Sequence, residues 1–272
     1  YTETETKDLF PDTAGKSINK GESQYISLSL GYPIVLKRNS GISVDIGASI
    51  QNSKSDFYLD GVETNNVSTD RIRAARFGLT GRKDFQNAAN YFRVEFSKGI
   101  DGWDNELSSN EFKSDLDSKP DFKKYKIDLV RQQYFPNKRL NLEVKASGQS
   151  SSDQLPVPEK LSFGGHEFGK GFKNSHLFGD EGWLTSMKLS KNFNFRKGKG
   201  ITSPYVWYDY GSISDLDSSD DTTASTIGIG IGGKFNKNST YDLSVGFPST
   251  DDSDPDKVGL DHKIFGFNLG YS

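Results

Sequence analysis

Gly169-Lys170-Gly171-Phe172 fixes one cation between two glycines and backs it with an aromatic ring, shortly after the double glycine Gly164-Gly165. Glycines let backbone pass close to other backbone, and a cation held that tightly calls for a fixed acidic partner. The chemistry this suggests is a confined ion pair. Trp207-Tyr208-Asp209-Tyr210-Gly211 supplies a candidate acid. If Val206, Tyr208 and Tyr210 share one face of a strand, alternation puts Trp207 and Asp209 on the other. Taken singly, Lys170 and Asp209 would each be an ordinary charge facing water. Other candidates carry less. His166, His176 and His262 lack ligand-like spacing, so no metal site is expected. The acidic runs Asp215 to Asp221 and Asp251 to Asp254 read as solvated loop charge. There is no Gly-x-Ser-x-Gly elbow and no cysteine, so neither catalysis nor a cofactor has support.

What must position these residues is a set of strands. Ile26, Leu28, Leu30 and Tyr32 alternate with small residues. Ile42 to Ile50, Phe92 to Phe96 and Leu140 to Ala146 alternate in the same way. Further alternating segments centre on Phe77-Leu79, Tyr125-Leu129, Met187-Leu189, Val206-Tyr210, Ile227-Ile231, Leu243-Phe247 and Phe265-Tyr271, about eleven strands in all. No segment keeps a helical period, and no run of 18 apolar residues exists for a transmembrane helix.

Hydrophobic content of 33% and a mean hydropathy of −0.67 are lean for a soluble core of 272 residues. They are normal for a membrane barrel, where only alternate residues face lipid. A soluble sandwich or solenoid also alternates, but here the polar face carries full charges, such as Arg93 with Glu95 and Glu143 with Lys145. A second sheet could not cover these cheaply, whereas a watery lumen tolerates them. Short connections alternate with long ones of about 20 residues after Ile50, 23 after Ser97, 34 after Gly148, 11 after Gly211 and 14 after Phe247. Short turns on one rim and long loops on the other fit an all-β, antiparallel transmembrane β-barrel. The long rim then faces outward and the short rim the periplasm. A net charge of −3 without basic clusters argues against a nucleic-acid partner.

The segment from Gly164 to Phe172 resembles the inward-folded loop of the Omp85 superfamily, specifically its two-partner-secretion transporters of the hemolysin-activator type. Trp207-x-Asp209-x-Gly211 resembles the strand motif F-x-D-x-G of the same superfamily. Arg71 to Arg76, the run from Gly148-Gln149 through Leu155 and Glu159 to Leu161, and Gly179-Asp180-Glu181-Gly182-Trp183 are similar to further family stretches. The resemblance spans roughly residues 20 to 272, with one departure: Lys170 stands where the family has Arg. Lysine keeps the charge but lacks the planar fork for bidentate pairing.

The resemblance implies about the last eleven strands of a 16-stranded barrel, with a loop folded into the lumen and Lys170 paired to Asp209. It implies an outer-membrane pore that passes a large partner exoprotein of hemolysin or adhesin type from periplasm to cell surface. Partners are then the secreted protein, membrane lipid and, during biogenesis, the barrel-assembly machinery. A barrel-assembly insertase and the barrel of a patatin-like fused secretion protein are the alternatives. Residues 1–272 are read as one barrel domain, with 1–24 a truncated strand and outer loop and 149–182 the lumen-inserted loop. The chain opens without Met in a polar stretch, so it reads as part of a longer barrel whose sheet is left open. Phe265, Phe267, Leu269 and Tyr271 alternate, so an aromatic is expected at the next outward position.

Overall fold

The structure, a computed structural model, describes residues 2–8, 17–59, 62–102, 117–135, 139–172, 177–195, 200–218, 221–234, 239–251 and 264–271. Its strands are β1 (Thr2–Asp8), β2 (Ser17–Lys37), β3 (Ser40–Leu59), β4 (Val62–Asp84), β5 (Ala88–Gly99), β6 (Lys123–Tyr134) and β7 (Leu140–Ser151). They continue with β8 (Leu161–Phe163), β9 (Leu177–Gly179), β10 (Glu181–Lys191), β11 (Phe193–Phe195), β12 (Gly200–Ser214), β13 (Thr222–Lys234), β14 (Ser239–Thr250) and β15 (Ile264–Tyr271). Thirteen of them form one antiparallel sheet in which neighbours in sequence are neighbours in space. β8 and β9 stand apart as a small hairpin inside the long connection between β7 and β10. Among the described residues, no pairing joins β15 to β1. No helix among them is long and apolar enough to cross a membrane, which says nothing of strands.

Register explains why the alternation reads so cleanly. Across β2, β3, β4, β5 and β6 the row Leu30–Ile46–Phe77–Phe96–Tyr125 lies on one face, and Tyr32–Val44–Leu79–Val94–Ile127 runs beside it. Farther on, the row Leu142–Leu189–Val206–Ile229–Val245–Phe265 keeps the same parity through β15. Ile42, Phe92, Leu140, Val144 and Phe267 take that parity by their pairings. This outer face is left uncovered: Leu28 is 75% exposed and Ile227 60%. The inner face carries charge in matched sets. Arg93 grips Asp45 with both terminal nitrogens at 2.8 and 3.0 Å and reaches Glu95 at 2.7 Å. An apolar face bare on the outside and a paired-charge face within is the binary pattern of a membrane barrel wall.

Each of the eleven expected strands is present; β1 and the short β11 bring the sheet to thirteen, and β8 and β9 are additional. The heights differ from the sequence reading. Twenty residues after Ile50 were assigned to a loop, yet β3 and β4 pair as far as Leu59↔Val62. Likewise β2 begins at Ser17, inside the 1–24 stretch assigned to a truncated strand and outer loop, and β1 pairs with its first residues, Thr2↔Ser23 to Asp8↔Ser17. A span needs about 9–11 residues, whereas the 20 residues of β3 reach about 66 Å at 3.3 Å each. The upper parts of these strands project beyond any hydrocarbon layer, where neither face needs apolar residues. The lumen loop is also shorter than 149–182, because 149–151 finish β7 and 181–182 open β10.

Candidate functional site

The connection from β7 to β10 packs against the inner face, and its base is tied before its tip is placed. Gln149 donates from Nε2 to the carbonyls of Glu159 (3.2 Å) and Asp180 (3.1 Å), joining both feet of the loop. Asp180, fully buried, accepts from the Leu155 N–H at 2.8 Å and from the Leu216 N–H at 3.1 Å. Burial raises the Asp180 carboxyl above its ordinary value although both N–H groups and Lys160 favour its charge. Pro156 starts a 3-10 turn over Val157–Glu159, and the β8–β9 hairpin follows. Leu161, Phe163, Leu177 and Phe172 from the loop bury against Leu184, Ile213 and Ala224 of the wall.

The tip depends on glycine. Gly164, Gly165 and Gly169 have φ of 120°, 106° and 76°, a region that side-chain-bearing residues rarely adopt. Gly169 then points two successive N–H groups the same way, the main-chain anion cradle called a nest. Asp209 Oδ2 fills it, accepting from Gly169 at 3.0 Å and Lys170 at 3.1 Å. Asp209 is fully buried and its row neighbours are small: Ser186 on β10 and Thr226 on β13. This leaves a floor on which Gly171 rests. A Cβ on Gly171 would lie 2.4 Å from Thr226 Cγ2.

Gly211 is equally restricted, since a Cβ there would meet Leu184 Cδ2 and Phe163 Cδ2, both at 2.8 Å. Phe163 in turn stacks edge-on against Phe172, with ring centroids 5.5 Å apart. The two short motifs, Gly164 to Phe172 and Trp207 to Gly211, are therefore one site.

The expected ion pair between the Lys170 ammonium and Asp209 is not how they meet. Asp209 contacts Lys170 through the main chain, and the Lys170 side chain runs on to place Nζ 5.6 Å from the Trp207 ring centroid and 6.0 Å from that of Tyr205. Burial, and then the neighbouring Lys188, lower the Lys170 pKa from its ordinary value. Because the cradle is made of backbone N–H groups, these two hydrogen bonds to Asp209 do not need the planar fork of an Arg side chain. Trp207 is buried against Gly228, where a Cβ would come within 2.2 Å of its ring.

The reading of separate residues missed a second contact. Glu159, 4% exposed, lies between Arg76 on β4 and Lys124 on β6. Arg76 donates to both carboxylate oxygens, at 2.5 and 3.3 Å, and Lys124 Nζ donates to Oε2 at 2.6 Å. Burial opposes the charge, but Lys124 and Arg76 outweigh it and hold the Glu159 carboxyl below its ordinary value. Arg76 and Glu159 stand in stretches already singled out by sequence, and Lys124 opens an expected strand; nothing local joins positions 83 residues apart.

Among the described residues no group of His, Cys, Asp and Glu is arranged to hold a metal. His176 and His262 lie outside them. Two supposed solvated loop acids are engaged: Asp215 accepts from Lys160 at 2.6 Å, and Asp251 from the Thr223 N–H at 2.7 Å. Asp220, Asp252 and Asp254 fall outside the described residues.

Comparison with known proteins bears on this arrangement. The family model described as haemolysin secretion/activation protein ShlB/FhaC/HecB matches residues 1–235. CdiB from Escherichia coli has the same fold with a TM-score of 0.78 at 19% identity, over 99% of this chain and 49% of that one. CdiB from Acinetobacter baumannii gives 0.69 at 18% identity, over 99% and 46%. The chain thus spans about half the length of the solved chains it matches. No curated protein sequence matches it.

Proposed function

We propose a function from one premise: this chain belongs to the haemolysin secretion/activation family of ShlB, FhaC and HecB type, whose model matches most of it. The reading is an outer-membrane transporter that passes a large partner exoprotein, of hemolysin or adhesin type, from the periplasm to the cell surface. Its family is one of secretion transporters, not of enzymes. The observation that carries the reading is a loop docked on the charged inner wall by a main-chain cradle around Asp209, behind an apolar outer face.

The geometry suits a conduit for unfolded chain. Paired charges such as Arg93 with Asp45 and Glu95 give a hydrophilic wall with little free charge to trap a passing segment. Most of its polar groups are satisfied laterally, so a transiting backbone finds few buried sites to bind tightly. The docked loop narrows the lumen until it shifts. Lipid contacts the outer face, and the barrel-assembly machinery acts on the chain during biogenesis. Family membership supports secretion over the barrel-assembly and fused-passenger alternatives.

The test is secretion itself. In cells carrying the full-length transporter and its exoprotein, deleting the transporter should leave the exoprotein in the periplasm, and the wild-type gene should restore it to the surface. An exoprotein that reaches the surface without the transporter would refute the function.

A further inference from the structure

The Glu159 contact is built like a receptor. Arg76, Ser97 and Lys124 stand on one cross-strand row of β4, β5 and β6. Ser97 is small and buried, which leaves a slot between two cations on either side of it. Its hydroxyl accepts from Arg76 at 2.8 Å and donates to Glu95 at 3.2 Å, so Arg76 is aimed. Ser49 holds the guanidinium from the opposite side, accepting from Nε at 3.2 Å. A planar fork beside an ammonium is the donor set that a single carboxylate fits best.

We propose that Arg76, Ser97 and Lys124 form a carboxylate-binding site on the inner wall, that Glu159 is its resident ligand, and that this is a second lock on the loop, independent of Asp209. The ligand is presented rigidly. The Glu159 N–H donates to the Pro156 carbonyl at 2.8 Å within the 3-10 turn. Lys124 Nζ also donates to the Glu159 carbonyl at 2.9 Å, so the wall holds both main chain and side chain. Independence follows from place: this lock uses β4 and β6 and the loop base, whereas the cradle uses β12 and the loop tip, with no shared residue. Contacts without shared partners add in free energy. Their effects on loop release should multiply.

The inference rests on the transport reading only in giving the loop a reason to leave the wall; its test reads the loop directly. In cells displaying the full-length protein, Leu177→Cys puts one thiol on a part of the loop that docking buries against the wall, in a stretch that otherwise has no cysteine. A bulky maleimide added outside should label it slowly. Glu159→Gln should speed labelling about tenfold or more, because it leaves buried cations short of their counter-charge. Combined with Asp209→Ala, the acceleration should approach the product of the two single effects.

Labelling of Glu159→Gln within twofold of the parent overturns the proposal, as does a double variant no faster than Asp209→Ala alone. If Glu159→Gln fails to give a folded, heat-modifiable barrel, Lys124→Gln cuts the same contact from the wall. Equal labelling of folded Lys124→Gln and parent then overturns it. Unchanged labelling in a protein that still secretes counts against the lock and leaves the transport reading intact.

Discussion

Replacing Asp209 and replacing Lys170 should have unequal consequences, although the two residues form the most conspicuous pair of opposite charges in the sequence. Asp209 Oδ2 accepts two N–H groups, at 3.0 and 3.1 Å, in a fully buried position. Hydrogen bonds to a charged acceptor contribute about 1.5–3 kcal/mol each. Asp209→Ala therefore removes roughly 3–6 kcal/mol of loop docking and leaves two N–H groups without an acceptor. At about 1.4 kcal/mol per tenfold, the Gly169 and Lys170 amides should exchange with solvent at least about 100-fold faster. The Lys170 ammonium instead lies near the Trp207 and Tyr205 rings. Such contacts contribute about 0.5–2 kcal/mol, so Lys170→Gln should speed the same amides by no more than about thirtyfold. Hydrogen exchange followed by mass spectrometry of a peptide covering residues 164–172 measures both. If Lys170→Gln loses as much protection as Asp209→Ala, the ammonium is the lock and the main-chain cradle is the wrong account.

Gly211→Ala should push Phe163 off the wall, since the added methyl lies 2.8 Å from its ring. A loss of about 1–3 kcal/mol is expected, as for other overpacked sites, and would show as a lower midpoint in thermal unfolding of the detergent-solubilised barrel. Asp209→Ala should impair secretion more than Asp217→Ala, because Asp217 is exposed and exposed loop charges contribute little; equal loss in a secretion assay would reverse that ranking. Acidification should loosen the loop base. The folded-state pKa of Glu159 is depressed by Lys124 and Arg76 against the cost of burial, with Glu95 beside Arg76 and Lys126 near Lys124 completing the charges that face it. Its stabilisation is thus full above the ordinary carboxylate value and lost as pH falls through the lowered one. Cleavage within residues 155–172 by an acid-active protease such as pepsin should rise below about pH 4, and less so in Glu159→Gln.

Much of this wall was legible because lipid imposes a strict period of two. Leu142, Leu189, Val206 and Ile229 share a row because each occupies the outward parity of its own strand. The tall hairpin of β3 and β4 was not legible, because above the hydrocarbon both faces meet water and the alternation fades after Ile50. The β8–β9 hairpin pairs only Leu161 to Phe163 with Leu177 to Gly179, too few residues to show a period.

The two site motifs were visible as neighbours in space, but charge alone misdirected their contact. A sequence shows that Lys170 carries a cation; it does not show where the Lys170 N–H points. The clue was Gly169, whose φ of 76° turns that N–H toward Asp209. Glu159 was visible as an acid in a glycine-rich connection. Its partners became identifiable only once register had placed Arg76, Ser97 and Lys124 on one row.

The central claim is that unfolded exoprotein passes along the inner face of this wall. Lys145 and Val144 are adjacent on β7, yet Lys145 pairs with Ser186 on the inner parity and Val144 with Met187 on the outer. A photo-crosslinking amino acid at each position, in cells arrested while secreting the partner, measures which face the cargo touches. Adducts to the exoprotein from position 145 and none from 144 are the predicted result. Adducts from 144 alone, or none from 145 while secretion proceeds, would contradict the account.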